Sequence, residues 1–174
     1  MAQIKLPIYT IGHSTHKLSE FLEILSSYGI TTVVDIRTIP KSRANPQFNE
    51  RRLKSWLKKH RIKYLHMKGL GGLRRPDKDS TNTYWRNASF RGFADYMQTK
   101  EFKENLAKLI ELSRKRKTAI MCAEAVPWRC HRSLIADALS VRRIKAYHIF
   151  SMTNSKEHRL TKSAVVKGDN IIYK

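Results

Sequence analysis

The chain has 174 residues, of which 35 are Lys or Arg and 14 are Asp or Glu, so its formal net charge at pH 7 is +21. Hydrophobic residues make up 41% of the chain, which is too apolar for a disordered basic tail and predicts a folded core. No segment approaches the roughly 20 apolar residues of a membrane span, and the first residues lack the pattern of a cleaved leader. We therefore expect neither a membrane span nor secretion.

Two cysteines, Cys122 and Cys130, are too few for a disulfide scaffold. A reducing cytoplasm is therefore the expected compartment. The length, together with the lack of an internal repeat, predicts a single domain over residues 1–174.

The first 67 residues predict three strands and two helices. Strands are predicted at residues 8–11, 31–36 and 64–67, and amphipathic helices at residues 18–28 and 50–61. Gly29 is expected to close the first helix. A strand, a helix and a strand within about 30 residues are typical of a βαβ unit.

The second half of the chain continues the alternation after a long loop at residues 68–89, a length that favours a functional or mobile segment. Helices are predicted at residues 90–97, with Ser89 as cap, and at residues 101–114 and 130–139. Strands are predicted at residues 118–122 and 146–150, followed by a hairpin over residues 164–173 around Gly168. The pattern predicts an α/β, three-layer fold with a mainly parallel sheet and a C-terminal hairpin.

The charge is concentrated between Arg37 and Lys78, where 14 Lys or Arg residues face two acids, Glu50 and Asp77. A polyanion neutralises such a surface and gains affinity from counterion release, so nucleic acid, DNA or RNA, is the expected partner. Small anionic substrates and a merely basic surface are the alternatives. The candidate nucleic-acid contacts are Arg51, Arg52, Lys58, Lys59, Arg74 and Arg75, with Tyr84 and Trp85 as stacking side chains.

The segment 121–132 carries most of the chemistry. It lies between a predicted strand and a predicted helix, at the edge where open α/β folds bind ligands. A helix that begins near Cys130 offers free amides that attract phosphate and are expected to lower the pKa of the Cys130 thiol, and Arg129 and Arg132 add to that field. Cys122 or Cys130 is then a candidate nucleophile or redox group, and Glu124 and His131 are candidate proton-transfer groups.

Other interpretations of the cysteines stay open. Cys122 alone fits a small buried hydrophobe. The spacing of Cys122, Cys130 and His131 does not match a zinc site, and a redox-sensitive disulfide between the two cysteines is conceivable. Trp128 stands six residues after Cys122, where a phosphatase loop needs arginine, so no phosphatase is predicted.

Several polar residues follow the ends of predicted parallel strands and are expected to converge on one crevice with the cysteine segment. They are His13 and Asp35 as further catalytic candidates, and Ser14, Arg37, Ser42 and Arg132 as phosphate-binding candidates. The alternatives are a structural salt bridge for Asp35, and turn or capping roles for His13 and Ser14.

These motifs make the chain recognisable as similar to the domain-of-unknown-function 488 family. The motifs are Gly12-His13-Ser14, Asp35-Ile36-Arg37 with Pro40 and Ser42, Leu70-Gly71-Gly72, and Cys122-Ala123-Glu124 with Pro127 and Cys130-His131-Arg132. The segment 93–97 and the closing hairpin also resemble that family. The resemblance implies the α/β fold strongly and an activity only weakly, since the family has no established function.

The functional prediction is an enzyme that acts on nucleic acid or a nucleotide-like phosphate ligand in the crevice at the strand ends. The alternative is a non-catalytic DNA- or RNA-binding protein whose cysteine motif is structural or redox-sensing. No helix-turn-helix, zinc-finger or RNA-stacking motif occurs, so binding to nucleic acid would be mostly electrostatic. The sequence predicts no metal site and identifies no cofactor.

Overall fold

The computed structural model describes residues 5–174 and contains an α/β architecture with a separate hairpin. The strands are β1 (Ile8–Gly12), β2 (Thr32–Asp35), β3 (Lys63–His66), β4 (Thr118–Cys122), β5 (Ala146–Ile149), β6 (Ser155–Glu157), β7 (Ala164–Lys167) and β8 (Asn170–Tyr173). The helices are α1 (Leu18–Ser27), α2 (Glu50–Lys59), α3 (Ala88–Tyr96), α4 (Lys100–Lys115) and α5 (Arg132–Val141). Short 3₁₀ turns occupy Pro46–Phe48, Lys68–Leu70 and Pro127–Arg129.

The main sheet has the strand order β3-β2-β4-β1-β5-β6. Its first five strands are parallel, and only the edge strand β6 is antiparallel. Gly12 lies opposite Cys122, and Asp35 lies opposite Met121. The ends of β1, β2 and β4 therefore meet at one edge of the sheet, as the βαβ order predicts.

Two apolar layers cover the faces of the sheet and confirm the three-layer fold. On one face α1 and α2 bury Phe21 and Leu53 against Ile11 and Val33. On the other face α3, α4 and α5 contribute a second core cluster, which includes Phe93, Leu106 and Leu134 packed with Val34 and Ile120. Adjacent residues of β2, Val33 and Val34, enter opposite clusters because successive side chains of a strand point to opposite faces.

Three local features differ from the sequence prediction. Helix α3 begins at Ala88 rather than residue 90, because the Asn87 side chain, not Ser89, accepts the hydrogen bonds of the first free amides. Helix α5 begins at Arg132 rather than at residue 130, because Pro127–Arg129 forms a 3₁₀ turn that places Cys130 before the helix. The edge strand β6 was not predicted, since Ser155–Glu157 is short and polar.

The C-terminal hairpin β7-β8 is present as predicted, with Gly168 at φ +59° in its turn. The long loop between β3 and α3 is irregular but anchored. Asn82 in this loop donates a side-chain hydrogen bond to Asp95 of α3 (2.7 Å) and accepts one from the Tyr173 amide of β8 (3.0 Å). Over residues 5–174, no helix is both long and apolar enough to cross a bilayer.

Candidate active site at the carboxyl edge of the sheet

A cleft of about 430 Å³ opens at the edge where β2 and β4 end. Its walls come from segments 37–41, 72–73, 87–90 and 122–131, so four separate loops meet there. Cys122, Glu124, Cys130, His131 and Arg37 all line it. The structure therefore brings together five of the residues that the sequence selected for this edge.

The two cysteines form a buried dithiol at the wall of the cleft. The Cys130 Sγ donates a hydrogen bond to the Cys122 Sγ at 2.8 Å, and both thiols are free. The Cys122 side chain is 3% exposed and the Cys130 side chain 5%. The Arg132 amide, the first of α5, also donates to the Cys130 Sγ at 3.4 Å. The sequence predicts that a helix begins beside a thiol, and in the structure one backbone amide at the start of α5 contacts the Cys130 sulfur.

Arg132 is fully buried behind the dithiol. Its Nη1 donates to the Cys122 Sγ at 2.5 Å and to the Glu124 carbonyl oxygen, and its Nη2 donates to the Ala125 carbonyl oxygen at 3.1 Å. Within residues 5–174, no carboxylate lies within ion-pair distance of this guanidinium. A buried cation without an anionic partner is costly, so the Cys122 sulfur is the group that can neutralise it as a thiolate.

The acidity of the two thiols differs for that reason. Burial raises the pKa of Cys122, but the hydrogen bond from Cys130 and the charge and hydrogen bond of Arg132 outweigh burial and lower that pKa to about 7. The prediction that the helix start lowers the pKa of Cys130 is wrong, because burial and the adjacent Cys122 sulfur raise that pKa well above its ordinary value. Near neutral pH about half of the Cys122 side chains are therefore thiolates, and the fraction rises above pH 7, while Cys130 stays a thiol that donates to Cys122.

His131 is held as a neutral ring. Its Nε2 lies 3.1 Å from the Ile36 carbonyl oxygen and 3.0 Å from the Leu70 carbonyl oxygen, so Nε2 carries the proton and donates to both. Burial lowers the pKa of His131 to about 4 against the effect of those two hydrogen bonds. Its unprotonated Nδ1 lies 3.6 Å from the Cys130 Sγ, whose single proton is directed to Cys122.

Two glycines allow this packing. A Cβ on Gly12 would overlap the Glu124 carbonyl oxygen and press on the Arg132 guanidinium, while a Cβ on Gly72 would meet the His131 ring. The amides of His13 and Ser14 continue the sheet contacts by donating to the carbonyl oxygens of Cys122 and Ala123. The first and third motifs thus serve to hold the cysteine segment in place.

Asp35 is expected from the sequence as an acid or base, but the structure seals it beneath the cleft. Its carboxylate accepts from Arg37 Nε at 2.9 Å, from Arg37 Nη2 at 2.6 Å and from the Tyr64 hydroxyl at 2.6 Å, and its side chain is fully buried. These bonds occupy the carboxylate in a structural ion pair. Arg37 still lines the cleft, 7% exposed.

His13 and Ser14 are also expected at the crevice, yet neither lines it. The His13 ring stacks on Phe48 at 4.3 Å; its Nδ1 donates to the Ser14 carbonyl oxygen, and its Nε2 accepts from Arg37 Nη1 at 3.4 Å. Burial lowers the pKa of His13 to about 4. Ser14 faces a smaller pocket on the side of α1.

Ser42 lies in a turn rather than in a phosphate site. Its amide donates to Asn49 Oδ1 at 2.8 Å, and its hydroxyl accepts from the Asn45 amide at 3.0 Å. Arg132 lies behind the dithiol and does not line the cleft, so Arg37 alone of the four predicted phosphate contacts does.

The predicted nucleic-acid contacts lie elsewhere, and none lines the cleft. Arg51, Arg52, Lys58 and Lys59 are exposed on α2, on the opposite face of the sheet from α3. Arg74 packs its guanidinium 3.6 Å from the Tyr96 ring, and Arg75 is exposed. Tyr84 is 52% exposed, whereas Trp85 is half-buried and stacks on Phe90 at 4.9 Å.

Several cleft residues were missed by the sequence interpretation. Lys41, Asn87 and Phe90 line the cleft because loops distant in sequence fold over the strand ends. Asn87 had a local signal, since Asn is a preferred helix cap. Ile39 and Leu73 also line the cleft, and their apolar side chains are 59% and 67% exposed. No local sequence signal indicated either residue. Within residues 5–174, no group of three or more His, Cys, Asp or Glu is arranged to hold a metal ion.

Comparison with known proteins identifies the family. The model of the family described as Domain of unknown function DUF488 matches residues 17–139. The match includes the Asp35-Ile36-Arg37, Leu70-Gly71-Gly72 and cysteine motifs, and excludes Gly12-His13-Ser14 and the hairpin. Neither the curated proteins nor the solved structures contain a significant match. The chain belongs to the DUF488 family.

Proposed function

We propose that the protein is an enzyme that uses the Cys122 thiolate as a nucleophile toward a phosphate-bearing, nucleotide-like ligand in the cleft. The observation that carries this proposal is the contact of the buried Arg132 guanidinium with Cys122, in a cleft lined by the exposed cations Lys41 and Arg129 and by the buried Arg37. A structural cysteine needs neither a buried cation nor a donor thiol beside it. Both features favour the thiolate, which is the reactive form of a cysteine nucleophile.

In the chemical step, the Cys122 sulfur gives an electron pair to an electrophilic atom of the ligand and forms a covalent bond with it. The bond from that atom to its leaving group breaks, and the leaving group departs with its electron pair and takes up a proton. Glu124 is the carboxyl group that lines the cleft and is exposed, so it is the candidate group for passing that proton from solvent water to the leaving group. Attack of water or of a second acceptor on the adduct then restores the Cys122 thiolate.

The cations of the cleft supply the binding part of the proposal. Arg129 and Lys41 are exposed at the cleft, where they can reach a phosphate, while Arg37 is held rigid by Asp35. A rigid arginine loses little conformational freedom on binding. The proposal places the enzyme in the cytoplasm, where the two thiols stay reduced.

The experiment is protection of Cys122 from iodoacetamide by 5′-AMP, read by peptide mass spectrometry. We expect millimolar AMP to slow alkylation of Cys122, and Arg129→Ala to weaken that protection severalfold. Lys54→Ala is the matched control, since Lys54 is an exposed cation on α2, away from the cleft. A thiolate at Cys122 that neither AMP nor inorganic phosphate protects would contradict the proposal.

A second candidate function is non-catalytic binding of nucleic acid by the exposed basic surface of α2. Arg51, Arg52, Lys58 and Lys59 have no acidic partner in the described chain, so their charge is available to a polyanion. Binding by this surface would show a steep salt dependence and would be indifferent to Cys122→Ala. Affinity that barely changes between low and physiological salt would exclude it.

A further inference from the structure

A second concave surface lies beside the cleft, and no predicted site residue lines it. This surface, which we call the Trp128 groove, has a volume of about 860 Å³. It lies between the 3₁₀ turn Pro127–Arg129, the end of β5 and the edge strand β6. Its lining includes Trp128, Phe150, Lys156, Glu157 and Arg159.

The groove presents two aromatic rings. Trp128 is 65% exposed, an unusual position for the largest apolar side chain. Its ring lies 6.2 Å from that of Phe150, tilted by 37°, so the two form a stepped aromatic surface. Among the three tryptophans Trp128 is the exposed one, because Trp56 and Trp85 are half-buried. An exposed ring with open space in front of it offers a flat face to a ligand.

The charge of the groove is positive. Lys156 places its Nζ 5.9 Å from the centre of the Phe150 ring, and Arg159 is exposed on the same wall. The groove has one acid, Glu157, and its carboxylate lies 3.5 Å from Lys145 Nζ, which offsets its charge. Aromatic faces beside cations match the two parts of an unpaired nucleotide, its base and its phosphate.

The groove is joined to the cleft through consecutive residues. Trp128 lines the groove, and Arg129, the next residue of the same 3₁₀ turn, lines the cleft. A ligand with repeated phosphates can therefore occupy both surfaces at once. A duplex would not suit the groove, because its bases are stacked inside and cannot lie on Trp128.

We infer that the Trp128 groove binds single-stranded nucleic acid, with unpaired bases on Trp128 and Phe150 and phosphates at Lys156 and Arg159. The bound strand would also be the substrate of the cleft, and only this part of the inference rests on the proposed function. Binding in the groove is independent of Cys122.

The test is fluorescence anisotropy with end-labelled dT12 and U12 oligonucleotides and a DNA duplex of equal length. We expect Trp128→Ala to weaken single-strand binding about tenfold, and Trp128→Phe to retain most of it. Lys156→Ala with Arg159→Ala should lower the slope of log affinity against log salt by about 1.4, which corresponds to two lost phosphate contacts. Val166→Ala, which shortens an exposed apolar side chain of the hairpin, and Lys167→Ala, which removes an exposed cation of the hairpin, should bind like wild type.

Four results would overturn the inference: no binding of either oligonucleotide by wild type, unchanged binding by Trp128→Ala, an equal loss in Val166→Ala, or stronger binding of the duplex than of the single strands. Each of these leaves AMP protection of Cys122 untouched, so the proposed function would stand. A third outcome separates the two proposals: Trp128→Ala binds the oligonucleotides tenfold more weakly, but AMP does not protect Cys122 in wild type. That outcome would support nucleic-acid binding by the groove and reject the chemistry proposed for the cleft.

Discussion

Arg132 and Cys122 form a buried pair, with the guanidinium Nη1 2.5 Å from the thiol sulfur at the end of the central strand β4. The cation cannot be neutralised by a carboxylate of residues 5–174, and Cys130 adds a hydrogen bond to the same sulfur. The charge of one residue thus determines the protonation state of the other.

The interaction free energy of Arg132 and Cys122 can be measured by a double-mutant cycle of Arg132→Met and Cys122→Ala. We expect each single variant to lower the free energy of unfolding by about 3 kcal/mol at pH 8.5, because each leaves a buried group without its partner. The double variant should lose less than the sum, with a coupling of about 1 to 3 kcal/mol. Urea unfolding measures all four proteins.

The coupling should depend on pH in a defined direction. The folded Cys122 pKa is about 7, below its ordinary value, so the thiolate contributes stability above the unfolded pKa and loses it as pH falls through 7. The coupling at pH 6 should therefore be smaller than at pH 8.5. An equal coupling at both values would mean that Cys122 does not change its protonation state between pH 6 and pH 8.5, which contradicts a pKa near 7.

Replacement of each of the two candidate carboxylates by its amide should affect the stability of the fold differently. Asp35→Asn should destabilise the fold by about 3 kcal/mol, because it removes the buried partner of Arg37. Glu124→Gln should leave stability within about 0.5 kcal/mol, because Glu124 is exposed and forms no ion pair in the described chain. Thermal unfolding compares the two variants, and a large loss in Glu124→Gln would show that its carboxylate has a structural role.

The α/β fold with its mainly parallel sheet was predicted from sequence because it depends on local signals. Apolar, β-branched segments such as residues 31–36 predict buried strands, and parallel strand ends share one edge. That His13 and Asp35 lie beneath the cleft could not be predicted, because it depends on side-chain direction at the strand ends. Trp128 was used only to exclude a phosphatase loop, since exposure of an aromatic ring is a property of the folded surface.

Substitution of Gly12 tests the packing around the Arg132 guanidinium. Gly12→Ala should lower the free energy of unfolding by about 3 kcal/mol, because its Cβ would overlap a backbone carbonyl oxygen that cannot rotate away. Gly168→Ala is the control. It has a positive φ but open space, so its cost should be only about 1 kcal/mol. Equal losses in urea unfolding would show that Gly12 is not confined by Glu124.

Acid should destabilise the protein through three buried imidazoles. Burial lowers the pKa of His13 and His131 to about 4 and that of His148 to about 3. Below pH 6.5 the unfolded chain binds protons that the folded chain does not, so stability falls as pH is lowered from 6.5 toward 4. Each histidine contributes a slope of up to about 1.4 kcal/mol per pH unit.

His148→Gln should reduce that acid dependence in urea unfolding at pH 6.5, 5.5 and 4.5. Tyr28→Phe, which removes a hydrogen bond to the Ser151 carbonyl oxygen but no imidazole, is the control and should leave the slope unchanged. His148 is hydrogen-bonded to Thr10 and His158, so its variant should also be less stable at pH 6.5. A slope unchanged in His148→Gln would indicate that this ring is protonated in the fold.

The most direct measurement is the pH dependence of iodoacetamide alkylation at Cys122, followed by peptide mass spectrometry in wild type and Cys130→Ala. The wild-type rate should rise with pH to a plateau with a midpoint near 7, while Cys130 stays unmodified at neutral pH. Cys130→Ala should shift the midpoint upward, because Cys122 loses the hydrogen bond from Cys130. A wild-type midpoint at or above 9, or faster modification of Cys130 than of Cys122, would contradict a Cys122 thiolate and the function proposed for it.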